Sequence, residues 1–532
     1  MRRLCPFVLQ TRAASVALLL SAISAPVPER WGGWAALAIG GFAAISVLRV
    51  PRLRLALEVA GLALALEALA SVARSAPVLL EAGVMPPLLP LGLALLATTL
   101  RPESGTFALN GVDRYFIAQD YPGMRINSHH FVDVKDPLDR DALVRAVDTF
   151  QRTIPLARTF VRESWLGVER FVARRPWVAA EDLVVWLDEP LEAKDGRLDE
   201  RFDLATRPPF RVLHAPREGG FRVCLTVHHS AADGTAGMLL LDRLIRFYDD
   251  HRARREPAPP PAYEPRTFRQ LFRAKGRLWL WRQVRRHTRP MDKVGVRNAS
   301  LLDDETPRRS TTRHRLATIA ADAWERLKRS GLEKGVTRND LLLASALRAA
   351  DAWRRARNRE DRSFRVLLPL DLRPILRLEP GYQNFAGVVR SDFSIEDVRS
   401  PQLPSLVSRR VRLGLALEEA IEAPVNLGTL SVVLPPWAFR LVLRSFDMDP
   451  RSFFFSFLFS NIRVPADLAR PDGATTEGIW VSGSIPRQPG FGLVITDDGA
   501  RVSVAFEYLS AYVSDESVAD FERRFLEELS RA

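Results

Sequence analysis

Residues 221–250, FRVCLTVHHSAADGTAGMLLLDRLIRFYDD, decide how the chain is read. Apolar and polar side chains alternate from Phe221 to Val227, the period of a half-buried strand. Apolar residues recur from Met238 to Phe247 at helical spacing, with Thr235 as a candidate cap. A strand therefore ends in His228 and His229, and a turn closed by Asp233 and Gly234 leads into a helix. Successive strand residues face opposite ways, so only one of the two histidines addresses a given cavity. A buried imidazole there can take a proton near neutral pH. Asp233 is placed to order the turn. Gly234 either adopts a backbone conformation closed to other residues or leaves room for a substrate.

A histidine pair can also be half of a metal site. That needs further His, Cys, Asp or Glu at coherent spacing, and the sequence offers no such cluster. The chain has eight histidines. A second pair, His129-His130, is not followed by Asp-Gly and is read as structural or solvent-facing. Ser230 lacks the G-x-S-x-G elbow of a hydrolase nucleophile.

The stretch HHSAADG resembles the HHxxxDG signature of an acyltransferase superfamily. That superfamily includes chloramphenicol acetyltransferase, peptide-synthetase condensation domains, wax ester/diacylglycerol acyltransferases and alcohol acetyltransferases. The resemblance implies an α/β fold of two lobes with a channel between them. It makes His229 the general base, with His228 and Asp233 holding the geometry and Gly234 leaving room. Other segments carry it further. IPLARTFV (154–161) and FDLATRPPFR (202–211) resemble the strand and hairpin entries of condensation-type domains. GVTRNDLLLASALRAADAW resembles the helix that precedes a P-x-D-x-R element, here Pro369 to Arg373. In the superfamily that arginine pairs with the motif aspartate across the lobe interface, which makes Arg373 the expected partner of Asp233. GYQNFAGVV places Asn384 and Gly387 near the acyl channel, and FFFSFLFSNIRVP adds Ser460 and Asn461. The glycine usual in the last segment of wax synthases is missing. The DFGWG of condensation domains is also absent. The resemblance implies an acyl-CoA or acyl carrier protein thioester as co-substrate, with no bound cofactor and no metal.

The rest of the chain sets the context. Its 532 residues are 47% hydrophobic and 26% charged, with a net charge of +13. That charge suits nucleic acid, an anionic membrane or an acidic ligand such as coenzyme A. No zinc-finger or RNP motif is present, so nucleic acid is not expected. The two cysteines, Cys5 and Cys224, imply no disulfide framework. Four apolar stretches precede residue 101: 13–27, 31–48, 55–72 and 76–100. The first, with Arg2 and Arg3 before it, also fits a signal peptide. The spans that follow at once favour a retained anchor. Arg2, Arg3 and Arg12, and then Arg49, Arg52 and Arg54, mark cytoplasmic loops. Four spans place the catalytic region in the cytoplasm; three would place it outside.

The expected organisation is a transmembrane helical segment over 1–104 and a first acyltransferase lobe over 105–255. A Pro-rich linker and basic helix follow over 256–290, and a second lobe over 291–532. The basic helix, with Trp279 and Trp281 among its arginines, is read equally as lipid-facing or as packed on the protein. The stretch around Trp437 is read as a core helix, with a lipid-facing element as the alternative. The expected activity is acyl transfer from a thioester to a hydroxyl or amine acceptor, lipophilic because the enzyme is anchored beside a bilayer. The alternatives are a carrier-dependent, amide-forming condensation enzyme and a non-catalytic lipid-binding scaffold.

Overall fold

The computed structural model describes residues 106–531, except 108, 122–123, 165–166, 192–196, 260–278, 280–297, 304–309, 360–361, 379–380, 417–418, 435, 449–454 and 488. The membrane segment expected over 1–104 and nearly all of the basic helix lie outside the described residues. Among the described residues no helix is long and apolar enough to cross a membrane. Residues 102–267, 293–424 and 436–532 belong to one compact unit, and 425–435 to a second.

The strands, in chain order, are β1 (Thr106–Phe107), β2 (Asn127–Val134), β3 (Thr159–Ser164), β4 (Gly167–Val172), β5 (Val184–Trp186), β6 (Phe210–Arg217), β7 (Gly220–His228), β8 (Thr312–Ile319), β9 (Phe364–Asp371), β10 (Ala386–Phe393), β11 (Phe457–Arg463), β12 (Thr476–Gly483), β13 (Phe491–Asp497) and β14 (Val502–Leu509). The helices are α1 (Gly111–Gln119), α2 (Arg140–Thr153), α3 (Gly234–Arg252), α4 (Ala321–Lys334), α5 (Arg338–Arg355), α6 (Leu372–Leu376), α7 (Ile395–Arg399), α8 (Leu403–Ala416), α9 (Glu422–Val433), α10 (Pro436–Met448) and α11 (Asp515–Arg531).

Two sheets carry the two lobes. The first has the order β12-β2-β7-β6-β5 and the second β10-β9-β11-β13-β14-β8. A small sheet, β1-β4-β3, completes the set among the described residues. β6 and β7 form the hairpin expected from Gly219 and Gly220, and Gly219 takes φ +74° in the turn. Alternation along β7 sends Val223, Leu225 and Val227 into one core, where they pack with Val132, Val134 and the apolar stripes of α2 and α3. Cys224 faces the other way, among Phe131, Leu213 and Trp480.

The sheets do not divide the chain at residue 255. β12 comes from the C-terminal part, yet it pairs antiparallel with β2, Val481 opposite His130. As the last strand it has N–H groups with no strand to receive them, a costly state when buried. Side chains from the second sheet meet them instead. Ile479 N–H donates to Asp498 Oδ2 at 3.0 Å, Val481 N–H to Thr496 Oγ1 at 3.1 Å, and Gly483 N–H to Glu507 Oε1. The lobes are thus joined along a strand edge as well as at the site described next.

Candidate active site

The turn after β7 is built by its own side chains. Asp233, not Thr235, caps α3, accepting from Ala236 N–H at 2.8 Å, and the helix begins at Gly234. Aspartate suits this place because its carboxylate takes up an orphan amide at the positive end of the helix. The same carboxylate receives Arg373 Nη1 at 3.0 and 3.2 Å and Phe385 N–H at 2.7 Å. Arg373 is buried and also donates to Asp371 Oδ1 at 2.9 Å and to the carbonyls of Gly381 and Gln383. Asp233 and Arg373 therefore neutralise each other at the junction of the lobes, with most remaining valences filled, as a buried ion pair requires.

The two histidines diverge as strand geometry demands. His228 is fully buried, facing Asp120 and Phe202. Its Nδ1 accepts from Ser230 N–H at 3.1 Å and lies 2.8 Å from Ser230 Oγ. Arg170, also buried, fixes Ser230 by donating to its Oγ and its carbonyl, both at 2.8 Å. An accepting Nδ1 puts the His228 proton on Nε2, which points at Asp120 Oδ2, 3.6 Å away. Its basic nitrogen is occupied, so His228 supports the turn.

His229 turns to the other side. Its ring stacks on Phe116 of α1, centroids 4.0 Å apart, and remains partly exposed. Its backbone is pinned at both ends: N–H to the Ile126 carbonyl at 2.9 Å, and carbonyl to Asn384 Nδ2 at 2.7 Å. Burial pushes its pKa below the usual value, while its own carbonyl and the Asp233 carboxylate pull the other way. The imidazole is therefore neutral near pH 7 and free to accept a proton.

Asn384 reaches further. Its Nδ2 also donates to Asp113 Oδ1 at 2.8 Å, and its carbonyl receives Asn110 Nδ2 at 3.0 Å. Asn110 and Asp113 form the capping box that starts α1. The helix carrying Phe116 is thus welded at its N-terminus to the segment that holds the His229 carbonyl. Burial drives the Asp113 carboxyl up to about 6, against the pull of Arg170 and Asn384.

Gly234 takes neither a left-handed conformation nor an open one. Its φ is not positive, and a Cβ there would meet Ile462 Cδ1 of β11 at 2.8 Å. The residue makes way for the second lobe. A tighter constraint falls on Gly237, where a Cβ would lie 1.9 Å from His130 Nε2. Both His129 and His130 are buried, which removes the solvent-facing alternative; His130 bonds Ser128 Oγ at 3.0 Å and His129 bonds Thr226 Oγ1 at 3.2 Å.

Ser460 and Asn461 part company. Asn461 is exposed and donates to Asn339 Oδ1 at 3.1 Å, away from the histidines. Ser460 shares the strand face of Ile462, the β11 residue that reaches Gly234. The sequence reading missed Asp113, Phe116, Asp120, Arg170 and Gly237. Only Asn110-x-x-Asp113 left a signal, as a helix start.

Fold and site together describe a histidine-bearing turn held between two lobes of a condensation-domain-like α/β fold. No protein-family model matches the chain. Polyketide synthase associated protein 5 of Mycobacterium tuberculosis aligns over 81% of this chain and 99% of its own, with a TM-score of 0.55 and 17% identity. The first condensation domain of the CDA synthetase aligns over 81% and 96%, with a TM-score of 0.58 and 16% identity. In sequence, the phthiocerol/phthiodiolone dimycocerosyl transferase of Mycobacterium leprae is 28% identical over 27% of this chain and 34% of its own length. A 126-residue match to the cyclosporin synthetase of Tolypocladium inflatum, 32% identical, covers 22% of this chain and 1% of that one. The chain thus spans about a third or less of these curated relatives. These likenesses are consistent with the condensation/acyltransferase superfamily.

Proposed function

We propose that the protein is a membrane-anchored acyltransferase that moves an acyl group from a thioester to a lipophilic hydroxyl or amine acceptor, with His229 as general base. The observation that carries this reading is the division of labour in the pair. His228 has its basic nitrogen engaged by Ser230, while His229 is neutral, pinned through its backbone and partly open. In the step, the acceptor O–H or N–H gives its proton to His229. The freed lone pair attacks the thioester carbonyl, the C–S bond breaks, and the departing thiolate takes the proton back from the imidazolium. Asp233 and Arg373 do not react; they hold the turn. The donor is acyl-CoA or an acyl carrier protein thioester. A relative named as a dimycocerosyl transferase supports a lipidic acceptor or acyl group.

Membranes containing the full chain, incubated with radiolabelled acyl-CoAs and extracted lipids, should form labelled lipid. His229→Ala should abolish it; equal transfer by the variant removes the base assignment. Likeness to condensation domains keeps a second reading, amide formation from a carrier-bound donor. Transfer from a carrier thioester and from no CoA thioester would establish it. Absence of transfer with every donor would leave the lipid-binding scaffold. Protease accessibility in sealed vesicles tests the proposed cytoplasmic placement.

A further inference from the structure

Helix α1 meets the histidine turn at three points along one face. Asp113, Phe116 and Asp120 stand at i, i+3 and i+7, the spacing of neighbours on a helix surface. Asp113 reaches the His229 carbonyl through Asn384, and Phe116 stacks on the His229 ring. Asp120, the C-cap residue, faces His228 Nε2 at 3.6 Å. The helix is held at both ends and from behind. Asn110, at its start, donates to the Asn384 carbonyl, while Asp120 pairs with Arg201 Nε at 3.3 Å and Arg125 Nη1 at 3.7 Å. Behind it packs α10, whose Phe439 and Leu443 are buried. Trp437 and Leu441 stay exposed, so only half of the expected core helix enters the core.

A neutral imidazole has a single N–H. Because Ser230 N–H donates to His228 Nδ1 at 3.1 Å, the ring proton belongs on Nε2. That nitrogen is sealed in the core with no hydrogen-bond partner among the described residues, and the Asp120 carboxylate, itself only 6% exposed, faces it. At 3.6 Å the two are in electrostatic contact and not in a closed hydrogen bond. A carboxylate at that distance favours a proton on the nitrogen that points to it. Without the carboxylate a buried N–H is left unmet, which favours the other tautomer. A proton on Nδ1 turns away the Ser230 N–H. Ser230 follows His229 directly, so the disturbance enters the turn beside that residue.

We propose that α1 is the positioning helix of the histidine turn: Asp120 sets the tautomer of His228, and Phe116 sets the plane of the His229 ring. The Phe116 and His229 rings lie 27° from parallel, and a stack of this kind resists rotation of the imidazole. Both residues act through an imidazole and not on a substrate. Their effect on turnover rests on the proposed acyl transfer; the tautomer and the ring plane do not.

The test reads the rings themselves. The full chain, carrying isotope-labelled histidine, is measured by magic-angle-spinning NMR, with His228→Gln and His229→Gln variants to assign two of its eight histidines. In the parent, His228 should be protonated on Nε2; a parent protonated on Nδ1 overturns the proposal before any variant of Asp120 is made. Asp120→Asn keeps an oxygen acceptor and should keep the tautomer. Asp120→Leu should move His228 toward the Nδ1 form and lower kcat about a hundredfold with KM nearly unchanged. If Asp120 mattered only through its arginines, Asp120→Asn would behave like Asp120→Leu, and Arg201→Gln would copy both. That pattern overturns the proposal, as does an unmoved tautomer in Asp120→Leu. Phe116→Ala should loosen the His229 ring, read as a lower order parameter, and Phe116→Tyr should keep it rigid. A His229 ring equally rigid in Phe116→Ala overturns the assignment of its plane to Phe116. If tautomer and ring order respond as expected while the parent transfers no acyl group from any donor, the acyltransferase reading fails and the positioning stands.

Discussion

A proton acceptor at neutral pH must be uncharged before it acts and able to carry charge when it does. Burial against Phe116 provides the first condition at His229, and the Asp233 carboxylate and the residue's own carbonyl favour the second. His229→Ala should lower kcat by roughly a hundred- to ten-thousand-fold with the fold intact, read by initial rates alongside thermal unfolding. Asn384→Ala withdraws donors from Asp113 and from the His229 carbonyl at once. It should cost about 1–3 kcal/mol in denaturant unfolding and lower kcat more than it raises KM. A variant with unchanged stability would show that the three groups are not coupled. Between the two glycines of the motif region, alanine at 237 should be the more damaging, because the obstacle is the His130 ring in a sealed core. At 234 it is a flexible isoleucine tip. Overpacking of this kind costs about 1–3 kcal/mol or more, and equal melting points for the two variants would contradict the ranking.

At the scale of elements, the edge of β12 makes stability depend on pH. Burial of Glu507, which accepts the Gly483 N–H, raises its carboxyl from 4.5 to about 8. The folded chain then holds a proton that the unfolded chain has released, and the stabilisation is complete below pH 4.5. It is lost as pH rises toward about 8, by roughly 1.4 kcal/mol per pH unit over that window. Glu507→Gln keeps an acceptor and removes the titration. Its stability relative to the parent should climb between those limits, measured by denaturant midpoints at several pH values; a constant difference would refute the assignment.

This element also shows where sequence reading stops. The β7–turn–α3 unit is local, and periodicity with a glycine turn was enough to see it. The Thr337 cap of α5, which accepts from Asp340 N–H, is local in the same way. The contact between Asp233 and Arg373 was foreseen only through family resemblance, for nothing near either residue names the other. β12 against β2, and Asp113 under Asn384, are pairings set by tertiary packing across hundreds of residues. Period and propensity carry no trace of such partners.

For the whole molecule, the shared strand means that neither lobe is complete alone. A fragment over 105–255 contains β2 and α3 but lacks β12 and Arg373. It should expose an unpaired strand edge and a buried aspartate without its cation, and therefore aggregate. A soluble fragment with dispersed amide resonances would contradict this. The described compact unit should likewise unfold in one transition and not two, because the Asp233–Arg373 pair at the histidine turn, the Asn384 contacts and the β12 edge all cross between lobes.

The order of synthesis gives β12 one more consequence. The ribosome completes β2 at Val134 but does not finish its partner until Gly483, about 350 residues later. At translation speeds of about 5–20 residues per second, the nascent first sheet waits roughly twenty to seventy seconds with its edge open. During that interval the growing chain depends on whatever shields a hydrophobic strand as it leaves the exit tunnel, and the histidine pair exists as sequence well before it exists as a site.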